Sequence, residues 1–194
     1  MKLAFLASHN GSAAKAIAAA CLNGKLNAVP RLLISNNEGA NAVAWAKEFQ
    51  LKTAVINAAN AQNPDSAIAG LLIDNGIDIV ICSGYMRLIG PETIAAAHGA
   101  VLNIHPALLP KYGGKGMYGS NVHRAVFEAK DAETGATIHL VDSEYDRGRI
   151  LAQKKIPVLP TDSAGDIEDK VKALEPDFYI ETLRKILSGD ISLR

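Results

Sequence analysis

Three residues in the second half of the chain have side chains suited to acyl-transfer chemistry. Asn103 and His105 are the polar members of the run Val101–His105, which Pro106 follows. If that run is a strand, residues two apart project on the same face, so the amide and the imidazole point together. A protonated imidazole and an amide N–H both stabilise a developing oxyanion. A satisfied structural histidine is the competing interpretation of His105.

Asp146 is the third candidate and lies in the turn sequence Asp146-Arg147-Gly148. Aspartate ahead of glycine is common turn chemistry. A catalytic role would need the carboxylate to face His105, where it would favour the protonated imidazole. The other histidines show no metal-binding spacing such as HExxH, so we expect no metal.

The segment Asn10-Gly11-Ser12 predicts either an ordinary strand–helix turn or an anion site. Gly11 can take a backbone conformation closed to other residues, and Ser12 is a good helix N-cap. The free amides of the first helical turn would then face an anion such as a phosphate. The pattern is neither GxGxxG nor a P-loop.

Strand-length apolar runs alternate with alanine-rich helical patterns through the first half of the chain. This β-α-β-α order predicts an α/β fold with a doubly wound, mostly parallel sheet, whose ligands bind beyond the carboxyl ends of the strands. The predicted strands are Lys2–Ala7, Ala28–Ser35, Thr53–Asn57, Ile77–Ser83 and Val101–His105. The predicted helices are Ala13–Leu22, Ala40–Phe49, Ser66–Asn75 (N-cap at Asp65 or Ser66) and Pro91–His98.

The second half is predicted to be mixed. A loop rich in Gly and Pro over 106–119 precedes further elements, and no repeat or linker divides the chain. We therefore expect a single domain over 1–194, with a nucleotide-fold half (1–105) and a mixed half (106–194). The later elements are predicted as helix Ser120–Ala129, strands Ala136–Val141 and Ile150–Val158, and two closing helices, Ser163–Leu174 and Phe178–Leu187.

The composition excludes several classes of function. Hydrophobic residues make up 48% of the 194 residues, and 20 basic residues balance 20 acidic ones. With no basic excess, a nucleic acid is not an expected partner. Cys21 and Cys82 lie in apolar stretches and suggest a reducing compartment. No apolar run approaches the roughly 18 residues of a membrane span, and no signal peptide is evident, so we expect a cytoplasmic protein.

Together these features resemble the folate-dependent formyltransferases, and among them the glycinamide ribonucleotide transformylases (phosphoribosylglycinamide formyltransferases). The NIHP run with a later D-x-G is specific to the group, and the GS loop near the N-terminus and the short length point to this member. The resemblance rests on SHNGS at 8–12, SGYMRLI at 83–89, LNIHPALLPKY at 102–112, GATIHLVDSEYDRG at 135–148 and ALEPDFY at 173–179.

The resemblance implies transfer of a formyl group from the co-substrate 10-formyltetrahydrofolate to the amine of glycinamide ribonucleotide in de novo purine biosynthesis. No metal, nucleic acid or membrane is implied, and the chain would be a monomer or homodimer. The implied residues are catalytic Asn103, His105 and Asp146; phosphate-binding Asn10, Gly11, Ser12 and Ala13; acceptor-binding Lys172 and Glu175; and folate-binding Met86, Arg87, Leu88, Ile89, Val141 and Asp142.

The chain departs from the family pattern at four places. Ala13 replaces an asparagine, and Pro176 replaces a histidine that often follows the glutamate. The segment Ala58–Ser66 lacks an arginine that some relatives place beside the folate tail. The loop Gly113–Asn121 is longer than in some members, and its Lys115 and Tyr118 could close over a ligand.

Other functions remain open on the sequence. The chain begins directly with the nucleotide fold, which disfavours a formyltetrahydrofolate hydrolase with its extra N-terminal domain. It carries no basic excess or C-terminal RNA-binding region, which disfavours a methionyl-tRNA formyltransferase. A sugar-nucleotide formyltransferase is usually longer. A formyltransferase for another phosphorylated amine, or a catalytically degenerate folate- or phosphate-binding module, is also compatible with the residues.

Overall fold

A computed structural model describes residues 1–193, in which seven strands form one sheet with the order β3-β2-β1-β4-β5-β6-β7. The strands are β1 Lys2–Leu6, β2 Val29–Ser35, β3 Lys52–Val55, β4 Ile79–Cys82, β5 Val101–His105, β6 Glu133–Leu140 and β7 Ile150–Pro157. The helices are α1 Ser12–Leu22, α2 Asn41–Glu48, α3 Pro64–Asp74, α4 Pro91–Ala96, α5 Ser120–Ala129 and α6 Ala164–Ser188.

The strands β1 to β5 are parallel, and each is joined to the next by a helix. The strand order reverses between β1 and β4, and in open α/β sheets a crevice opens at such a point beyond the carboxyl ends of the strands. The predicted doubly wound, mostly parallel sheet is therefore confirmed.

The last two strands pair antiparallel to their neighbours. The strand β6 pairs antiparallel with β5, and β7 pairs antiparallel with β6 as an edge strand. The register places Asn103 opposite His139 and His105 opposite Thr137. Side chains of two strands thus meet at the carboxyl end of β5.

Alternation along the strands divides the core into two layers. In β1, Leu3 and Phe5 pack in the layer of α1, α2 and α6, whereas Ala4 and Leu6 pack in the layer of α3 and α4. All four residues of β4 are buried, as its continuous apolar run predicts. Each fully buried Leu or Phe contributes about 1.5–3 kcal/mol, so the sheet is a firm base for the residues at its edge.

Two sequence predictions about helices are wrong. The two closing helices are one, α6, which contains Pro176. Proline removes a single backbone donor, and buried residues on both sides of it, Val171 and Tyr179 among them, hold the helix against the sheet. The N-cap of α3 is Asn63, whose side chain accepts from the next turn's amides, with Pro64 as the first helical residue.

Candidate active site

Four polar side chains meet where β5 pairs with β6. Nδ2 of Asn103 lies 3.1 Å from Nε2 of His139. Asp146, in the β6–β7 connection, lies between the two histidines: its Oδ1 is 3.5 Å from Nε2 of His139, and its Oδ2 is 3.5 Å from Nδ1 of His105. The structure thus brings together Asn103, His105 and Asp146, the three residues singled out in the sequence, around a fourth, His139.

Both ring nitrogens of His105 face oxygen atoms. Its Nε2–H donates to the carbonyl oxygen of Tyr112 at 2.7 Å, and its Nδ1 faces the Asp146 carboxylate. His105 is only 3% exposed, and burial lowers its pKa below the ordinary value although Asp146 and the Tyr112 carbonyl act to raise it. Asp146 thus acts on the pKa of His105 in the predicted direction, and burial acts against it.

Asp146 is held in a left-handed backbone conformation, with φ 57°, which aspartate tolerates better than most residues. The amide of Gly114 donates to its Oδ2 at 2.9 Å. Burial raises the pKa of Asp146, but His139, His105 and the Gly114 amide outweigh burial and hold the net pKa below its ordinary value. Asp146 is therefore a carboxylate at neutral pH.

The D-x-G pattern has a steric cause at Gly148. A Cβ on Gly148 would overlap the carbonyl oxygen of Leu140 at the end of β6. The amide of Leu140 donates to the carbonyl of Arg149 at 2.9 Å, which closes the connection. Glycine lets the chain return close to β6, and this close return places Asp146 against the histidines.

The loop between β1 and α1 has the geometry of an anion site. Gly11 has φ 57°, and a Cβ there would lie 3.0 Å from Cβ of Ala7, so any side chain at this position would be strained. Gly11 is also the N-cap, with no side-chain cap, so the prediction of Ser12 as N-cap is wrong. Among residues 1–193, the amides of Ser12 and Ala13 have no hydrogen-bond partner. A phosphate bound here would find free donors at a helix N-terminus.

The helix α2 fixes this loop from one side. Nε1 of Trp45 donates to the carbonyl of Asn10 at 2.9 Å, and Nδ2 of Asn41 donates to Oδ1 of Asn10 at 2.8 Å. The amide of Ala42 donates to the carbonyl of His9 at 3.0 Å. These bonds use Oδ1 of Asn10 as an acceptor, so its Nδ2 and the backbone amides at the start of α1 are the donors that an anion could bind.

The segment predicted to line a folate pocket follows β4. Met86 and Leu88 are exposed, whereas Ile89 is buried in the α3–α4 layer. Asp65 accepts from the amides of Glu92 and Thr93 at 2.9 and 3.0 Å and so fixes the start of α4. A cavity of about 310 Å³ lies on the β3 side of this segment. Its lining includes Asn36, Asn57, Asp65, Tyr85, Arg87 and Ile89.

The other predicted folate residues begin the β6–β7 connection. The amide of Val141 donates to the carbonyl of Val101 at 2.8 Å, and Oδ1 of Asp142 accepts from the amide of Glu144 at 2.9 Å. These bonds fix the backbone of 141–144 next to Asp146. The segment is therefore continuous with the part of the chain that carries Asp146 into the cluster of Asn103, His105 and His139.

The helix α6 packs against α5, and Glu175 lies half-buried on α6. Burial raises the pKa of Glu175 to about 7, against the opposing charge of Lys172. Lys172 itself pairs with Glu168 at 2.5 Å. Among the described residues, no hydrogen bond or ion pair joins Lys172 or Glu175 to the cluster around Asp146. Three buried side-chain polar atoms lack partners within 1–193: Nδ1 of His123, Oγ1 of Thr134 and Oη of Tyr179.

The start of the glycine-rich loop after β5 contacts the cluster. Tyr112 has φ 55°, its carbonyl accepts from His105, and its Oη donates to Asp131 at 2.8 Å. Beyond Gly114, Tyr118 is 56% exposed and Lys115 is also exposed. The start of the loop is fixed, and its tip projects outward.

His139 is the member of the cluster that sequence reasoning did not single out. It is 2% exposed and lies between Asn103 and Asp146, with Nδ1 2.8 Å from the carbonyl of Leu140. Its sequence signal was its place in an apolar strand that antiparallel pairing sets opposite β5, but the register is visible only in the fold. Residues 1–193 contain no group of three or more His, Cys, Asp or Glu able to hold a metal ion.

A family model described as "Formyl transferase" matches residues 1–183. This chain belongs to the formyl transferase family. A chloroplastic phosphoribosylglycinamide formyltransferase of Arabidopsis thaliana is 36% identical over 100% of this chain and 68% of its own length. The phosphoribosylglycinamide formyltransferase of Haemophilus influenzae is 34% identical over 100% of this chain and 90% of its own.

Solved structures of formyl transferases superpose on the whole sheet. The phosphoribosylglycinamide formyltransferase of Bacillus halodurans matches with TM-score 0.88 and 31% identity over 97% of this chain and 96% of its own. The glycinamide ribonucleotide transformylase of Geobacillus kaustophilus matches with TM-score 0.87 and 32% identity over 96% and 98%. The mixed second half is thus part of the formyl transferase fold.

Proposed function

We propose that this chain transfers the formyl group of 10-formyltetrahydrofolate to the amine of glycinamide ribonucleotide, a step of de novo purine biosynthesis. The observation that supports it best is the cluster of Asn103, His105, His139 and Asp146 at the carboxyl end of β5. The names of relatives that match nearly the full chain point to the same acceptor. A phosphate of the acceptor would bind the amides that begin α1.

The reaction is an acyl transfer between two nitrogens. The acceptor amine attacks the formyl carbon, a C–N bond forms, and the carbonyl electron pair moves to oxygen. The amine then loses a proton, the bond from carbon to the folate nitrogen breaks, and that nitrogen gains a proton. The products are the formylated acceptor and tetrahydrofolate.

The roles of the cluster follow from its charges. The Asn103 amide would donate to the oxyanion of the tetrahedral intermediate, and a protonated His105 ring would stabilise it through its charge. Burial lowers the pKa of His105, and the nearby oxyanion would raise that pKa as charge develops and favour uptake of a proton from water. Asp146, already ionised, would then stabilise the imidazolium and accept the amine proton, directly or through water. His139, whose Nδ1–H donates to the carbonyl of Leu140, would accept an N–H of Asn103 at Nε2 and so hold that amide in place.

The two ligands would approach from different sides of the cluster. The segment 86–89 and the backbone of 141–146 would hold the folate, and exposed Met86 and Leu88 offer apolar surface for its rings. Glu175 and Lys172 would hold the amine-bearing part of the acceptor. Ala13 costs little in this scheme, because the phosphate contacts come from amides.

The reaction is proposed to run in the cytoplasm on small-molecule substrates. The two cysteines are free thiols, as a reducing compartment allows. No helix within residues 1–193 is long and apolar enough to cross a membrane.

An assay with and without the acceptor tests the proposal. Purified protein is mixed with a 10-formyl folate donor and glycinamide ribonucleotide, and deformylated folate is followed by absorbance. We expect turnover that depends on the acceptor. Equal turnover without acceptor would identify a hydrolase instead, and binding of both ligands without turnover would identify a binding module.

A further inference from the structure

Ser8 follows β1 in the chain that leads into the loop at 10–13, and it contacts the start of the segment 86–89. Its Oγ accepts from the amide of Met86 at 2.8 Å and donates to Oδ1 of Asn36 at 2.5 Å. Its amide donates to the carbonyl of Gly84 at 3.1 Å, and its carbonyl accepts from Nδ2 of Asn37 at 3.3 Å. Ser8 is 2% exposed. Every polar group of this buried residue is therefore bonded.

The directions of these bonds are fixed by chemistry. A backbone amide can only donate, so the Ser8 hydroxyl oxygen must accept from Met86. The hydroxyl hydrogen is then free to donate, and it points to the carbonyl oxygen of the Asn36 side chain. Because the hydroxyl has one defined orientation, the bond to Met86 is a fixed link rather than one of several alternatives.

The link spans a large sequence distance to join two short functional segments. Ser8 lies two residues before Asn10, the start of the anion loop, and Met86 begins the segment 86–89. We propose that Ser8 is a positioning residue that fixes the distance between the acceptor-phosphate loop and the folate-lining segment. This inference rests on the proposed function, because it assigns those two segments to the two substrates.

The reaction makes this distance matter. An amine and a formyl carbon must be held about 3–3.5 Å apart to react, and a displacement of about 1 Å lowers the rate by roughly 100-fold. Two other bonds lie beside this one: the Ser8 amide donates to the carbonyl of Gly84 at 3.1 Å, and the amide of Ala14 donates to Oγ of Ser83 at 3.3 Å. Of the three, the bond from the Met86 amide to Oγ of Ser8 is the shortest, at 2.8 Å, and it alone reaches the segment 86–89.

Ser8→Ala tests the role, with Ser35→Ala as the matched control. Ser35 is a fully buried serine at the end of β2 whose hydroxyl bonds only within its own turn, to Asn37. We expect Ser8→Ala to lower kcat by about 10- to 100-fold while each KM changes by less than about threefold. Ser35→Ala should keep kcat. Equal losses in both variants, or an unchanged kcat in Ser8→Ala, would overturn the inference.

Amide hydrogen exchange gives a readout that does not depend on activity. The amide of Met86 is protected by Ser8, so peptides covering 84–88 should exchange faster in Ser8→Ala and not in Ser35→Ala. Unchanged exchange there would contradict the link even if the wild-type chain formylates its acceptor. An inactive wild type with faster exchange in Ser8→Ala would instead reject the proposed function and leave the link in place.

Asn36→Ala serves if Ser8→Ala does not fold. It removes the acceptor of the Ser8 hydroxyl while keeping the bond to Met86, so the hydroxyl is no longer oriented. We expect a smaller fall in kcat and a smaller rise in exchange at 84–88. No change in either measurement would contradict the inference.

Discussion

The two halves of the sheet contribute to the site in different ways. On the parallel side, the loop at 10–13 offers backbone amides, and its contacts are set by Gly11 and by hydrogen bonds from α2. On the antiparallel side, the β5–β6 pair offers side chains that titrate, packed within 3.5 Å of one another. The parallel side presents hydrogen-bond donors through its backbone conformation, whereas the antiparallel side presents ionisable side chains.

The difference follows from strand geometry. The carboxyl ends of parallel strands lead into loops and helix N-termini, which present donors without side-chain charge. Antiparallel pairing sets residues of two strands directly opposite each other, as Asn103 faces His139. The charged cluster is thus assembled by register, and the anion loop by backbone shape. Substitutions in the two halves should therefore have different effects.

The largest effect is expected in the charged half. His105→Ala and Asp146→Ala should each lower kcat by at least about 10²–10³-fold, the usual contribution of an oxyanion donor, while the chain stays folded. Steady-state kinetics and circular dichroism check this. Exposed His98 is the control, and His98→Asn should keep full turnover. Near-normal turnover of either alanine variant would remove that residue from the mechanism.

The next effect is expected in the conformational half. Gly11→Ala forces a side chain into left-handed backbone and against Ala7, at a cost of about 1–2 kcal/mol, so KM for the acceptor should rise roughly tenfold with kcat largely kept. Gly24→Ala is the control, because Gly24 has φ 75° but open space around it. A rise in acceptor KM in both variants would show that general strain, not the loop, is responsible.

A smaller effect is expected in the pH dependence of acceptor binding. The pKa of Glu175 is raised to about 7, so its carboxylate forms as pH rises through that value. We expect KM for the acceptor to fall several-fold across this range, because the charged form binds the amine-bearing group better. Glu175→Gln should flatten the profile. A profile that keeps its step in Glu175→Gln would assign it to another group.

The smallest expected effect is a shift in the pKa of His105. Asp146 raises the pKa of His105, so Asp146→Asn should lower that pKa further below its ordinary value. Titration of the His105 ring by NMR measures it, with Asp142→Asn as the control. A pKa that rises in Asp146→Asn would mean that the carboxylate does not act on His105 as the distances indicate.

Much of the parallel half was predictable because its signals are local. Apolar runs and alanine-rich segments gave β1 to β5 and α1 to α4 within a few residues. Gly11 also marked the anion loop by type alone. The cap was misplaced to Ser12 because a glycine in left-handed backbone can begin a helix without a side-chain cap.

The charged cluster was harder to predict because its contacts are long-range. Asn103, His105 and Asp146 were identified with the help of family resemblance, but the place of His139 depends on the β5–β6 register. The protonation of His105 depends on burial, which a strand sequence does not reveal. The single helix α6 was hidden by Pro176, since a proline more often ends a helix than lies inside one.

Pro176 also has a mechanical consequence. It has no N–H, so the carbonyl of Lys172 loses its usual helical donor. The helix α6 stays continuous, with one backbone bond missing beside Lys172 and Glu175, and buried residues on both sides of this gap, Val171 and Tyr179 among them, hold it against the sheet. Local opening starts where backbone bonds are fewest. The turn that carries the residues assigned to the acceptor is therefore where the backbone of α6 opens most readily, while the helix on either side stays packed.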